Sequence, residues 1–127
     1  LNKFQGQTGI AASFEHGGSG LPLAPEDQIQ VMHIVQESLS NIRKHAQASA
    51  VRVAVERSLE GLSIEVVDDG IGFDPETDSA ALSERHIGLK IMKERARRVG
   101  GQCRVISAAG QGTKVALWLP RLKREAA

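Results

Sequence analysis

Glu37, Asn41 and Lys44 are spaced four and three residues apart, so on a helix a carboxylate, an amide and an ammonium share one edge. Asn is a mediocre helix former, but its side-chain carbonyl is a hard oxygen ligand that Mg²⁺ accepts alongside phosphate oxygens and water. A solvated polar helix face has the same composition, so the triplet alone leaves both readings open. A second cluster lies in residues 66–75, VVDDGIGFDP. There Asp68 and Asp69 leave the end of a strand-like run, and Gly70 and Gly72 permit positive φ and let a ligand approach the backbone. Adjacent residues on an extended chain face opposite ways, which weakens an acid/base dyad and turns one of the two carboxylates toward a pocket. An ionised Asp only accepts hydrogen bonds, so it suits a ligand with an exocyclic amino donor such as adenine. A tight turn after a strand also favours Asp-Gly, and that reading stays open as well.

A nucleotide would need a phosphate site, and the P-loop spacing GxxxxGK[ST] occurs nowhere in the chain. The segment His86-Ile87-Gly88-Leu89 sits where a second helix is expected to start, with unbonded N–H groups and a positive dipole end suited to an anion. Gly110-Gln111-Gly112-Thr113 adds a glycine turn with a hydroxyl. A helix cap and a hairpin turn would look the same.

Periodicity predicts the elements that position these residues. Residues 9–15 read as a short strand and residues 16–25, rich in Gly and Pro, as a loop. Pro25 at a first helical turn, with Glu26 and Asp27 at its positive end, starts a helix that runs to about Ala46. Val31, Ile34, Val35, Leu39, Ile42 and Ala46 gather on its apolar side, and Gln30, His33, Glu37, Asn41 and Lys44 on the other. Residues 50–56 and 62–67 alternate with period two around a turn, which predicts a hairpin. Residues 70–85 lack a sustained period and read as a long loop. A second helix over residues 88–99 carries Leu89, Met92, Ala96 and Val99 as its core stripe and stops at Gly100-Gly101. Its Lys90, Lys93, Arg97 and Arg98 read as a solvated face. Strands at 104–107 and 114–119 follow, and residues 121–127 read as a flexible tail. The order implies an α+β fold, with helices on one face of a mixed, mostly antiparallel sheet.

The 127 residues fit one domain, and with only 3% aromatic residues its core must be aliphatic. A net charge of +1 and the lack of aromatic stacking platforms argue against nucleic acid as a partner. No apolar run is long enough to span a membrane, so no direct membrane contact by this segment is expected. Cys103 stands alone, which excludes an internal disulfide, fits a reducing compartment and reads as a small core residue. Leu1 in place of Met points to a piece of a longer protein.

Four segments in this order, QESLSNIRKHA (36–46), VVDDGIGFDP (66–75), HIGLKIMKERARRVGG (86–101) and GQGTKVALWLP (110–120), resemble the ATP-binding catalytic domain of bacterial sensor histidine kinases. The wording is most similar to the branch of nitrate/nitrite sensors, with QEALxNxxKHA and HxGLxxMxERA segments. The resemblance implies the Bergerat-type fold, a two-layer α/β sandwich shared with gyrase, heat-shock chaperone and mismatch-repair ATPases. It implies ATP and Mg²⁺ as cofactors. Asn41 would ligate the metal, and Glu37 would support that metal or act as a base. Lys44 and His45 would lie near the phosphates. Asp68 would accept the adenine amino hydrogen, with Gly70 and Gly72 shaping the base pocket and Thr113 behind the base. Residues 73–86, from Phe73 on, would form the lid, and Gly88 and Leu89 would present backbone to phosphate. Many sensor kinases carry GxGxG where this chain has His86-Ile87-Gly88.

The partners so implied are a dimerising, histidine-bearing domain of the same protein and the receiver domain of a response regulator. The phosphate-accepting histidine would lie upstream of this segment, and none of His16, His33, His45 and His86 is expected to take that role. The implied location is the cytoplasm, or the cytoplasmic part of a membrane-anchored sensor. Two other readings compete with a phosphotransfer module. One is a nucleotide-gated switch of the same superfamily, and the other is an interaction domain whose glycine segments are ordinary turns.

Overall fold

The computed structural model describes residues 11–17, 24–73 and 84–120. The expected tail at 121–127, most of the loop at 16–25 and most of the lid at 73–86 fall outside them. Strands β1 (Ala11–Gly17), β2 (Ala50–Arg57), β3 (Gly61–Asp68), β4 (Gln102–Ser107) and β5 (Thr113–Pro120) form one sheet in the order β1-β2-β3-β5-β4. β1 runs parallel to β2 and every other pair is antiparallel, so the sheet is mixed and mostly antiparallel. The hairpin read at 50–67 is β2–β3, closed by Ser58, whose N–H donates to the Gly61 carbonyl at 2.8 Å.

Two helices, α1 (Pro25–Asn41) and α2 (Glu84–Arg98), cover one face of this sheet. Strand alternation sends Val51, Val53 and Val55 of β2, Leu62, Ile64 and Val66 of β3, and Val115, Leu117 and Leu119 of β5 under the helices, where all are buried. Arg52, Glu56, Glu65 and Lys114 project from the opposite face, where Lys114 pairs with Glu65 at 2.9 Å. One covered and one wet face make the two-layer α+β sandwich that the element pattern predicts. No helix among the described residues is long and apolar enough to cross a membrane.

α1 starts at Pro25 as expected, and Asp27 and Gln28 donate their N–H groups to the Ala24 carbonyl. After Asn41 the helix widens into a π-helical turn, Ile42–Ala46, which ends at Gln47 in the left-handed region with φ 50°. The apolar stripe expected on α1 is rotated. Val31, Ile34, Ile42 and Ala46 are buried, but so is Ser38, whereas Val35 and Leu39 are only half-buried. The cause is α2, which lies along the flank carrying Gln30, Glu37 and Asn41. Arg95 Nη1 donates to Gln30 Oε1 at 2.8 Å, and the Ser38 hydroxyl donates to the Ile34 carbonyl at 2.9 Å beside Met92 Sδ. Gln30, Glu37 and Asn41 thus stand half-buried at a seam between helices, whereas His33 and Lys44 of the same polar side stay exposed.

α2 begins at Glu84, four residues before the start expected from its apolar stripe. Its end matches the expectation. Gly101 N–H reaches the Ala96 carbonyl at 2.9 Å and Gly100 N–H the Arg97 carbonyl at 3.0 Å, with Gly100 at φ 78°. That pattern needs a left-handed residue just past the helix, and only glycine takes it without strain.

Candidate functional site

The strand register builds one end of the site. Val51, Asp68, Thr113 and Ser107 stand side by side across β2, β3, β5 and β4, all in phase with the buried valines and leucines. Three polar side chains thus end an otherwise apolar inner face. Over this end the helix layer leaves a cleft. Its sheet side is Val66, Asp68, Thr113 and Val115, its helix side Ser38 and Asn41 of α1 with Ile42, His45 and Ala46 of the π-helical turn, and Leu89, Gly72 and Phe73 complete the wall. A concave, mostly apolar lining with a few convergent polar groups is the character of a small-molecule site.

Alternation separates the two aspartates. Asp68 continues the Leu62, Ile64, Val66 phase, is 5% exposed and lies in the cleft. Burial pushes its carboxyl above the usual carboxylate range, and the charge of Asp69 adds to the rise. Hydrogen bonds from the backbone of Gly70, at 2.7 Å, and of Thr113 pull the other way. Asp69 turns outward, where its Oδ1 accepts the N–H groups of Ala50 at 2.9 Å and Ser49 at 2.8 Å. Those bonds hold its carboxyl below the usual range, and it fixes the start of β2.

Of the residues singled out in the sequence, Asn41, His45, Asp68, Gly72, Phe73, Leu89 and Thr113 line this one cleft. Glu37, Lys44, Gly70 and Gly88 do not. Glu37 is half-buried one turn before Asn41, and its carboxylate packs against Gly88, where a Cβ would collide with Oε1. Because α2 starts at Glu84, Gly88 lies in its second turn and does not open the helix; the N–H groups that lack an intrahelical acceptor belong to the first turn. Lys44 is exposed on the π-helical turn. His45 lines the cleft, and its Nε2 is buried with no hydrogen-bond partner, a group that a ligand's polar atom would satisfy.

The glycines after Asp69 serve the backbone. Gly70 abuts the Ala46 carbonyl, which accepts the Ile71 N–H at 2.8 Å, so the π-helical turn docks on this segment. Gly72, at φ 63°, runs so close to the carbonyls of Ala108 and Gly112 that a Cβ would strike both. The segment is pinned to the β4–β5 turn, where Gly110 N–H donates to the Ile71 carbonyl at 2.6 Å and Phe73 N–H to Ser107 Oγ at 2.9 Å. Sequence reasoning passed over Ser38 and Ser107. Ser107 carried a signal, since it keeps the phase of Cys103 and Val105 to the end of its strand.

For a divalent cation the available donors are the Asn41 amide oxygen and, one turn earlier, the Glu37 carboxylate. No three His, Cys, Asp or Glu side chains converge among the described residues. Two hard oxygen donors fit Mg²⁺, which takes few protein ligands and fills its shell with phosphate and water oxygens.

Residues 26–123 match the model of the histidine kinase-, DNA gyrase B-, and HSP90-like ATPases. The chain is 35% identical over 120 residues to the signal transduction histidine-protein kinase/phosphatase DegS of Brevibacillus brevis, covering 94% of this chain and 30% of that protein. It is 39% identical over 94 residues to the nitrate/nitrite sensor protein NarX of Escherichia coli, covering 73% of this chain and 15% of that protein. It thus spans a third or less of these relatives. The histidine kinase domain of the Erythrobacter litoralis EL346 blue-light activated histidine kinase superposes with a TM-score of 0.79 at 20% identity, over 98% of this chain and 59% of that one.

Proposed function

The chain belongs to the histidine kinase-, DNA gyrase B- and HSP90-like ATPases, as an ATP-binding domain of the sensor histidine kinase kind, and we propose that it holds Mg-ATP for transfer of the γ-phosphoryl group to a histidine. That histidine would stand on a separate dimerising domain of the same protein, and the phosphoryl group would pass on to an aspartate of a response regulator. The observation that carries this reading is the shared cleft. Asn41, a cation-type donor on the helix layer, and Asp68, an acceptor at the sheet rim, line the same space.

In this reading Asp68 accepts a hydrogen bond from the adenine amino group, and Val66, Ile42 and Val115 supply apolar walls. Asn41 and, behind it, Glu37 would hold Mg²⁺, which neutralises phosphate charge when bound. Glu37 supports that ion or takes the proton that the acceptor imidazole loses. Transfer forms a nitrogen–phosphorus bond and breaks the bond from the γ-phosphorus to the β–γ bridging oxygen, leaving ADP. Little covalent chemistry falls to the protein, so the rate rests on positioning and charge.

The test is transfer of labelled γ-phosphate. With Mg-ATP and a dimerising domain from a relative, label should appear on that domain's histidine and not on this chain. ATP binding without any transfer would assign the domain to the nucleotide-gated switch.

A further inference from the structure

Ser107 lies outside the cleft wall, but its hydroxyl makes three contacts that fix each proton at this end of the sheet. Phe73 N lies 2.9 Å from Ser107 Oγ, the Gly112 carbonyl oxygen 2.9 Å, and Thr113 Oγ1 2.8 Å. A serine hydroxyl has one proton to give and two lone pairs to accept with. The backbone N–H of Phe73 can only donate, so it takes one lone pair. The Gly112 carbonyl can only accept, so it takes the single Ser107 proton. The contact with Thr113 then has one solution: Thr113 donates its hydroxyl proton to Ser107. Thr113 in turn is the β5 partner of Asp68, and its own backbone N–H bonds the Asp68 carboxyl.

We infer that Ser107 is a positioning residue that holds the Thr113 hydroxyl as a hydrogen-bond acceptor toward the cleft and so sets its choice of base. The inference rests on the nucleotide reading above. An ionised Asp68 beside a Thr113 whose proton is committed elsewhere offers a ligand two acceptors and no side-chain donor. A purine edge that carries an amino group matches that pair. An edge that carries a carbonyl oxygen at the same place, as in hypoxanthine, meets acceptors on both sides. Without Ser107 the Thr113 hydroxyl is free to rotate and donate, and the discrimination weakens.

The experiment measures the dissociation constants of ATP and ITP, with Mg²⁺, for the parent chain, Ser107→Ala and Ser107→Thr. The ATP-over-ITP preference should fall roughly 3- to 10-fold in Ser107→Ala, the range of one neutral hydrogen bond, and stay at the parent value in Ser107→Thr, which keeps the hydroxyl. If Ser107→Ala loses affinity for both nucleotides equally, Ser107 only braces the β4–β5 turn and the inference is overturned. Parent binding that prefers ATP and depends on Asp68 would still uphold the functional reading in that event. A parent that binds neither nucleotide overturns both.

Discussion

Asp68→Asn should weaken ATP binding roughly 10- to 150-fold, corresponding to about 1.5–3 kcal/mol for a hydrogen bond to a charged acceptor. The variant should also bind ITP more tightly than the parent does. The Gly70 N–H bonds Oδ1 at 2.7 Å, so an amide at this position keeps its oxygen there and presents its NH₂ to the cleft. That group repels an adenine amino group and welcomes a carbonyl oxygen. Two pH readouts accompany the change. Burial raises the Asp68 carboxyl in the folded chain, so its stabilising contribution is full below the unfolded value and is lost as pH rises through the folded one. The unliganded Asn variant, which cannot ionise there, should therefore melt above the parent at neutral pH, with the gap closing as pH falls through the raised pKa. ATP affinity of the parent needs the carboxylate and should drop across that same window, while the variant's stays flat. Titration calorimetry and thermal melts from pH 4 to 8 check all of this.

The second large effect is expected at Asn41. Asn41→Ala should abolish the gain in ATP affinity that Mg²⁺ gives the parent, so that titrations with the metal and with a chelator coincide. Phosphotransfer should fall roughly 10²- to 10³-fold, the usual loss when one preorganised electrostatic group is removed. Alanine is the better helix former, so α1 should persist and the melt without nucleotide should stay near the parent's. An Asn41→Ala chain that keeps the full Mg²⁺ dependence would remove Asn41 from the metal.

Much of this fold was legible because alternation and punctuation are local. Val51, Val53 and Val55 declare β2, the Leu62 to Val66 phase places Asp68 on the inner face, and Gly100-Gly101 closes α2. What stayed hidden depends on partners distant in the chain. Ser38 reads as polar, yet α2 buries it against Met92, which its hydrogen bond to the Ile34 carbonyl makes tolerable. The first turn of α2, Glu84-Arg85-His86, carries no apolar period and so gave no start signal. Gly70 and Gly72 read as room for a ligand; Gly72 does line the cleft, and the missing side chains of both also admit the carbonyls of Ala46, Ala108 and Gly112. The π-helical turn Ile42–Ala46 has no composition signal of its own.

The site was legible in its parts more than in its joins. Asn41 and Asp68 stood out by residue type, but their common cleft comes from α1 crossing over the β3–β5 end of the sheet. A crystal structure of the chain with Mg²⁺ and a non-hydrolysable ATP analogue tests that join directly. The adenine amino nitrogen should lie about 2.7–3.2 Å from an Asp68 carboxylate oxygen and the cation about 2.0–2.1 Å from Asn41 Oδ1. A base seated away from Asp68, or a cation that leaves Asn41 without contact, would contradict it.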